Sequence, residues 1–140
     1  MKLSEMFHSE VVTADPQERV RMVLEKMKAK NVGAVVVVEK GKVAGIVTDR
    51  DIAMKATGID GTLDGPVSNI MSKEVVTIWD DQGVFNASQY MRGRKMRRLP
   101  IIDRQEQLVG ILTADDLFAM FAREFLNVAE SLEPALGAKV

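Results

Sequence analysis

Apolar and polar positions follow the same order twice along the chain. In the first copy, the β-branched segment 10–13 predicts a short strand. The next apolar residues are three and four positions apart, as on one buried face of a helix: Val20, Val23, Leu24 and Met27. Two nearly unbroken apolar segments at 34–38 and 43–47 predict strands that are covered on both faces. A second helix is predicted to begin at Thr48.

The second copy repeats this order about 64 residues later. Glu74–Thr77 matches the segment Glu10–Thr13, and the helix face recurs at Val84, Ala87, Ser88 and Met91. The strands recur at 99–102 and 108–112, followed by a helix from Thr113. The repeat predicts an α/β fold made of two β-α-β-β-α units.

Local signals set the boundaries of these elements. Asp15-Pro16 and Asp80 are predicted to open the first helix of each copy, as N-cap residues. The domain boundaries follow as 1–58 for the first repeat with its lead-in and 59–66 for a linker rich in glycine. The second repeat covers 67–124, and 125–140 form a helical extension and tail, whose helix is expected to end at Glu133-Pro134.

Composition excludes several classes of function. The 140 residues include no cysteine and one histidine, His8, so cysteine nucleophiles, thiolate metal sites and multi-histidine zinc sites are excluded. The net charge of −1 gives no overall attraction to nucleic acid. No apolar run approaches the length of a membrane helix, and we expect a cytoplasmic protein with no membrane contact. No phosphate-cradling P-loop or nucleophile–base pair is present, so we expect no enzyme activity and no required cofactor or metal.

Two matched motifs carry a family resemblance. Gly45–Asp51 and Gly110–Asp116 share the pattern Gly-apolar-apolar-Thr-x-x-Asp, and Leu99–Asp103 precedes the second hairpin turn. With these motifs the chain resembles a tandem pair of cystathionine-β-synthase (CBS) domains, a Bateman module. The resemblance covers roughly residues 1–122. It implies pseudo-twofold packing of the repeats, clefts between them that bind AMP, ADP, ATP or another adenosyl compound, and assembly into a homodimer.

The two Thr-x-x-Asp segments have two compatible interpretations. Thr48 with Asp51, and Thr113 with Asp116, match the capping box that begins a helix. A carboxylate at a helix N-terminus can also accept both hydroxyls of a ribose, next to amide groups that favour phosphate. We expect both roles, with Asp51 and Asp116 as ribose ligands.

The resemblance also implies the remaining contacts. Adenine would meet the end of the first strand of each copy: Val12, Thr13, Ala14, Thr77 and Ile78. Residues before the second strand would wall the base: Val32, Gly33, Ala34, Arg98, Leu99 and Pro100. Because bulky Arg97 and Arg98 stand where copy one has small residues, we expect one main site around Thr48 and Asp51. Arg97 or Arg98 would reach across to phosphate, and Arg50 is a further phosphate candidate.

Two features lie outside the repeat motifs. The basic segment 92–98 is interpreted as a solvated helix end with phosphate-binding arginines; without interleaved aromatic residues it does not favour nucleic acid. After Asp116 the helix carries more apolar residues than one repeat needs: Leu117, Phe118, Met120, Phe121, Phe125, Val128 and Leu132. The leading hypothesis is a regulatory adenosyl-binding module that acts on an unknown protein partner. The alternative is a ligand-free dimerisation or scaffold module acting through this helix.

Overall fold

A computed structural model describes residues 2–7, 10–56, 63–94 and 96–137, with side chains to 132. The first half contains α1 (Leu3–Met6), β1 (Thr13–Ala14), α2 (Val20–Lys30), β2 (Ala34–Glu39), β3 (Lys42–Thr48) and α3 (Asp49–Lys55). The second half contains a 3-10 turn (Val67–Asn69), β4 (Ile78–Trp79), α4 (Val84–Arg94), β5 (Arg98–Ile102), β6 (Leu108–Thr113) and α5 (Ala114–Gly137). His8, Lys95, residues 57–62 and the last three residues lie outside the described residues.

Each repeat forms one three-stranded sheet, as the duplicated pattern predicts. The sheet orders are β1-β2-β3 and β4-β5-β6, with the first pair parallel and the second antiparallel in both. The hairpin turns meet, because the amide of Leu108 donates to the carbonyl of Gly41 at 3.1 Å. Gly41 has a φ of +82°, a conformation that favours glycine.

The lead-in segments exchange between the repeats. Leu3, near the start of the chain, is fully buried in the core of the second repeat, beside Ile78 and Leu99. Val67 and Ile70, which follow the linker, are buried in the core of the first repeat. The two cores therefore each contain residues from both halves of the sequence, and the repeats are interlocked.

The glycine of each family motif makes this exchange sterically possible. The amide of Ile46 in β3 donates to the Ser72 carbonyl at 3.0 Å, and the Ser72 amide donates back at 2.9 Å. A Cβ on Gly45 would lie 2.8 Å from the Ser72 carbonyl oxygen. A Cβ on Gly110 would lie 3.2 Å from the carbonyl oxygen of Phe7. Both glycines thus admit the lead-in backbone of the other repeat.

The expected N-cap at Asp15 is wrong. Asp15 instead forms a turn in which its Oδ1 accepts the Gln17 amide at 2.9 Å, and α2 begins at Val20. The first amides of α2 donate to the linker: that of Val20 to the Gly65 carbonyl at 3.0 Å, and that of the next residue to the Leu63 carbonyl at 2.8 Å. Backbone from a distant segment therefore takes the place of a local cap.

Three other boundaries differ from the sequence expectations. The first strand is Thr13–Ala14 rather than 10–13. Asp80 does not cap α4, which begins at Val84; the buried Asp80 instead donates its amide to the Ile102 carbonyl at 2.8 Å. Helix α5 continues to Gly137 through Pro134, where we expected its end. Among the described residues, no helix combines the length and apolar character needed to cross a bilayer.

Candidate functional site

A cavity of about 280 Å³ lies between the two repeats. Its volume is close to the lower end of small-molecule sites, about 300–1,000 Å³. Both halves of the chain line it: Glu10, Val11, Val12, Val32, Gly33, Ala34 and Val36 from the first, and Arg98, Ile111, Thr113 and Asp116 from the second. Apart from Glu10, the first half contributes an apolar side, and the second half contributes a side that carries a cation, a hydroxyl and a carboxylate.

The apolar side leaves room for a ligand because two of its residues are small. Gly33 and Ala34 begin β2, and the Gly33 carbonyl accepts the amide of Asp49 at 3.0 Å. A Cβ on Gly33 would lie 3.3 Å from the Asp49 carboxylate, so a larger residue would crowd this corner. Val12 and Val32, partly buried, complete the wall. This slot can receive a flat apolar ring edge-on.

The polar side is the capping box that begins α5. The amide of Thr113 donates to Oδ2 of Asp116 at 3.2 Å, and the Asp116 amide donates to the Thr113 hydroxyl oxygen at 3.1 Å. Asp116 Oδ1 accepts no hydrogen bond from the residues that the structure describes. Asp116 is therefore oriented by its own helix and retains one oxygen for a ligand hydroxyl.

The box at Thr48 and Asp51 has the same backbone geometry and different surroundings. Its two hydrogen bonds are 2.9 and 3.1 Å long. Oδ1 of Asp51 lies 3.7 Å from Nζ of Lys55, so a cation already accompanies this carboxylate. Neither Thr48 nor Asp51 lines the cavity beside Gly33 and Ala34.

The grouping of the predicted residues therefore differs from the expectation. We expected the small residues of copy one to serve a site around Thr48 and Asp51. The structure instead brings Gly33 and Ala34 together with Thr113 and Asp116 of copy two. Both capping boxes predicted from the sequence are present, but the cavity combines halves of different copies.

Two of the arginines expected to bind phosphate, Arg97 and Arg98, line one recess of about 180 Å³ with Thr113 and Asp115, whereas Arg50 lies elsewhere. Arg98 lies in β5 opposite Thr113 in the strand register, is partly buried and lines the cavity. Arg98 forms no ion pair within the part of the chain that the structure describes. Arg97 is exposed, and its guanidinium lies 3.8 Å from the Asp115 carboxylate. Arg50 is exposed on the first turn of α3 and is not among the lining residues.

Several residues expected to touch adenine have buried side chains. Ala14 belongs to the first core, and Ile78 and Leu99 belong to the second. Pro100 is also fully buried. Neighbouring core residues cover these side chains, so a ligand could meet these positions only through backbone groups. The expected contacts of Leu99 and Pro100 stay a prediction.

The two threonines at the first strands lie elsewhere. The carbonyl of Thr13 accepts a hydrogen bond from Lys26 Nζ at 2.9 Å. Thr77 lines a separate cavity of about 210 Å³ near the hairpin turns, with Lys42 and Lys73. Neither threonine is among the residues lining the cavity between the repeats.

Sequence reasoning missed two residues that lie at or near the polar side. Ile111 lines the cavity and precedes Thr113 by two positions, so strand alternation places both on one face. Arg123 lies two helical turns after Asp116, and both line an adjoining recess of about 350 Å³ with Met6, Phe7, Ala119 and Met120. The spacing of seven residues from Asp116 places Arg123 on the same face of α5, and this was the sequence signal that could have identified it. The recess extends the cavity along α5 toward a second cation.

The remaining aromatic and basic candidates lie in other places. The Arg104 guanidinium stacks 4.7 Å from the centre of the Trp79 ring, and Arg94 lies 4.8 Å from the ring of Tyr90. Cation–π stacking thus occupies one face of each ring. Neither ring is among the residues that line the cavity.

Comparison with known proteins gives relatives with the same repeat. A family model for the CBS domain matches residues 3–57 and 67–123. The CBS domain-containing protein YhcV of Bacillus subtilis is 43% identical over 111 residues, covering 78% of this chain and 77% of that protein.

Solved structures have the same fold. The CBS domain protein PAE2072 from Pyrobaculum aerophilum, complexed with AMP, has a TM-score of 0.74 at 25% identity. That likeness covers 83% of this chain and 89% of the other. The putative acetoin utilization protein AcuB from Vibrio cholerae has a TM-score of 0.78 at 24% identity, covering 94% and 96% of the two chains. The duplicated unit, its two sheets and these matches together show that the chain belongs to the CBS domain family, as a tandem pair.

Proposed function

We propose that this chain is a regulatory module that binds an adenine nucleotide or related adenosyl compound in the cavity between its repeats. One observation carries the proposal. The small residues Gly33 and Ala34 of the first repeat line the same cavity as Asp116 and Arg98 of the second. A planar base, a ribose and a phosphate require these three environments in one ligand-sized space.

The chemistry of each part supports this ligand class. Val12, Val32 and Ala34 would cover the faces of adenine, and backbone groups of β2 would meet its edge. The free oxygen of Asp116 would accept from a ribose hydroxyl in a charge-assisted hydrogen bond, about 1.5–3 kcal/mol. Arg98 would pair with the first phosphate, and Arg123 lies along the adjoining recess for a longer phosphate chain.

The relative from Pyrobaculum aerophilum supports an adenine nucleotide, because it was solved with AMP. The ligand would act on an unidentified protein partner by favouring one arrangement of the two repeats. Such coupling requires that the ligand bind the two arrangements with different affinity. Because the cavity walls come from both repeats, a bound ligand bridges them, and its affinity depends on their relative position.

Titration calorimetry with AMP, ADP, ATP, S-adenosylmethionine and NAD at physiological salt tests the proposal. We expect saturable binding of an adenosyl compound with one ligand per chain. Asp116→Asn keeps the side chain's size and its capping acceptor, and should weaken binding at least about tenfold by removing a charged acceptor.

Asp51→Asn is the matched control, since it changes the same motif outside the cavity and should leave affinity within about twofold. Equal loss in both variants would contradict a site at Asp116. Absence of binding by every compound would favour the alternative, a ligand-free scaffold module.

A further inference from the structure

A second cavity, of about 210 Å³, lies at the end of the two sheets where the hairpin turns meet. Lys42 and Val43, which begin β3, line it from the first repeat. The extended segment that leads into β4 and the last residue of β5 line it from the second repeat. We call this space the hairpin cavity. Like the cavity at Asp116, it has walls from both halves of the chain.

The hairpin cavity is distinct from the cavity at Asp116. Ile102 lines the hairpin cavity, and Arg98 lines the other one. These two residues are the ends of β5, so about 13 Å of strand separates them at a rise of 3.3 Å per residue. Among the described residues, none lines both cavities. A ligand in the hairpin cavity would therefore not compete with a ligand at Asp116.

The turn between β5 and β6 supplies a carboxylate next to one of the lysines. This turn spans residues 103–107, whereas the turn between β2 and β3 spans only 40–41. Within the longer turn Glu106 has a φ of +64°, a conformation that residues other than glycine rarely adopt. The Glu106 carboxylate lies near the Lys42 ammonium, and both residues line the hairpin cavity. Glu106 is therefore a positioning residue for Lys42.

The lining side chains give the hairpin cavity a net positive charge. Lys42 and Lys73 contribute two ammonium groups, against one carboxylate from Glu106. The Lys42 ammonium is 3.6 Å from that carboxylate, longer than a direct charge-assisted hydrogen bond of about 2.7–2.9 Å, so it retains donors for a ligand. Lys73 forms no ion pair with any residue that the structure describes. The excess positive charge favours a ligand that carries a negative charge.

The segment before β4 lines the cavity with every second residue. Lys73, Val75 and Thr77 all line it, as expected of an extended segment whose alternate side chains share one face. The half-buried Thr77 hydroxyl makes no hydrogen bond to another described residue. This segment therefore places a cation, an apolar side chain and a hydroxyl in one row along the cavity.

Three aliphatic residues give the hairpin cavity an apolar side. Ile102 is 7% exposed, and Val43 and Val75 are half-buried. An alkyl group placed against these side chains would be removed from water, which is favourable, whereas an inorganic anion would gain nothing from them. The volume is below the usual lower end of about 300 Å³ for small-molecule sites, so the ligand must be small.

We propose that the hairpin cavity binds a small monocarboxylate that carries a short, branched alkyl group. The carboxylate would pair with the ammonium groups of Lys42 and Lys73. The alkyl group would cover Val43, Val75 and Ile102. Because both repeats contribute to these contacts, the ligand would hold the two hairpin turns together. Its binding does not depend on the adenosyl ligand proposed above.

An NMR titration of the isotope-labelled protein with sodium isovalerate tests the proposal, with the ionic strength held constant by sodium chloride. We expect saturable shifts of the backbone amides around the hairpin cavity, at 42–43, 73–77 and 102–106, with a dissociation constant in the millimolar range. Lys73→Glu should weaken binding at least about tenfold, because repulsion replaces attraction. Inorganic phosphate, which has no alkyl group, should bind at least about tenfold more weakly than isovalerate.

Lys28→Glu is the matched control. Lys28 is exposed on α2 and does not line the hairpin cavity, and its replacement changes the net charge by the same amount. The affinity for isovalerate should stay within about twofold of wild type, because salt screens distant charges. Equal weakening in both variants would show a response to net charge alone and would overturn the proposal.

The same titration can contradict the site and the ligand class separately. Shifts that do not saturate, or that centre on 113–116, would overturn the site. Phosphate binding as tightly as isovalerate would overturn the alkyl carboxylate. Leucine binding more tightly than isovalerate would indicate that Glu106 accepts an ammonium group, and would overturn a simple monocarboxylate. Failure of every adenosyl compound to bind would leave these results unchanged, so the two proposals can fail independently.

Discussion

At the scale of single residues, two chemically identical motifs have different surroundings. The Asp51 carboxylate lies 3.7 Å from Lys55 Nζ, whereas Asp116 forms no ion pair with the residues that the structure describes and lines the cavity between the repeats. Sequence predicted both capping boxes because a box depends on four adjacent residues. It could not predict which box faces Gly33, because that pairing depends on contacts more than seventy residues apart.

Arg98 should determine the preference for phosphate. We expect Arg98→Gln to weaken AMP binding about tenfold or more, as loss of one charge-assisted contact implies, and to leave adenosine binding within about twofold. Calorimetry with AMP and with adenosine measures the two dissociation constants and their ratio. Arg50→Gln removes an exposed cation that does not line the cavity and serves as the control. Equal weakening of both ligands by Arg98→Gln would contradict this role.

Gly45 should be required for the crossing of the lead-in segment. In Gly45→Ala the new methyl group would meet the Ser72 carbonyl oxygen at 2.8 Å and the Met71 sulfur at 2.6 Å. We expect destabilisation of about 1–3 kcal/mol, as for other overpacked sites. Urea unfolding measures it.

A matched glycine should respond in the opposite direction. Gly93 lies in α4 with no atom within 4 Å of an added Cβ, so Gly93→Ala should raise stability by about 0.5–1 kcal/mol. If Gly45→Ala is as stable as wild type, the close approach at Ser72 does not limit that position.

At the scale of elements, strand and helix positions followed from the sequence better than helix ends did. The predicted strand 34–38 is observed as Ala34–Glu39, and the predicted helix starts at Thr48 and Thr113 are observed. Asp15-Pro16 led to the wrong start for α2, because carbonyls of the linker accept the hydrogen bonds of the first α2 amides. No local sequence signal identifies a cap that comes from a distant segment. Helix α5 continues through Pro134, although a proline inside a helix removes one backbone hydrogen bond and disfavours the helical conformation.

The linker contact at α2 also carries an electrostatic prediction. The Arg21 guanidinium donates to Asp64 Oδ1 at 3.1 Å, and this hydrogen bond holds the pKa of the Asp64 carboxyl below its usual value. Because the folded pKa is depressed, the contribution to stability is complete above the unfolded pKa of about 3.9. It is lost as the pH falls through the folded pKa.

Asp64→Asn should therefore differ from wild type by a constant, small free energy of unfolding near neutral pH. The difference should shrink in acid, below about pH 4. Urea unfolding between pH 3 and 7 measures the profile. Because both side chains are largely exposed, added salt should reduce the difference at neutral pH. If the difference in the free energy of unfolding grew as the pH fell, it would contradict this role of the Asp64 carboxylate.

At the scale of the whole molecule, the exchange of lead-in segments joins the repeats into one folding unit. The duplicated pattern predicted two similar units, but it could not reveal which core receives Leu3 or Ile70. Both residues lie next to a repeat in sequence and are buried in the other repeat in space. Hydrophobic periodicity shows that a side chain is buried, not what surrounds it.

Unfolding should consequently occur in one transition. Ile70→Ala, which opens a cavity in the first core, should destabilise the protein by about 2–5 kcal/mol. The single tryptophan, Trp79, lies in the second repeat and should report the same midpoint shift as far-UV circular dichroism. Leu3→Ala, in the other core, should shift both signals equally. Separate midpoints for the two probes would contradict one cooperative unit.

The exchange of lead-ins has a consequence for how such a chain could originate. In a chain that carried only one β-α-β-β-α unit and its lead-in, the apolar lead-in residue, Leu3 or Val67, would have no core to be buried in. In the present structure that core belongs to the other unit. Two such chains could associate, with the lead-in residues of each chain buried in the core of the other. Gene duplication with a short connecting loop would then convert an association between molecules into one within a molecule. The two halves of the present protein, produced as separate polypeptides, are accordingly expected to reassemble.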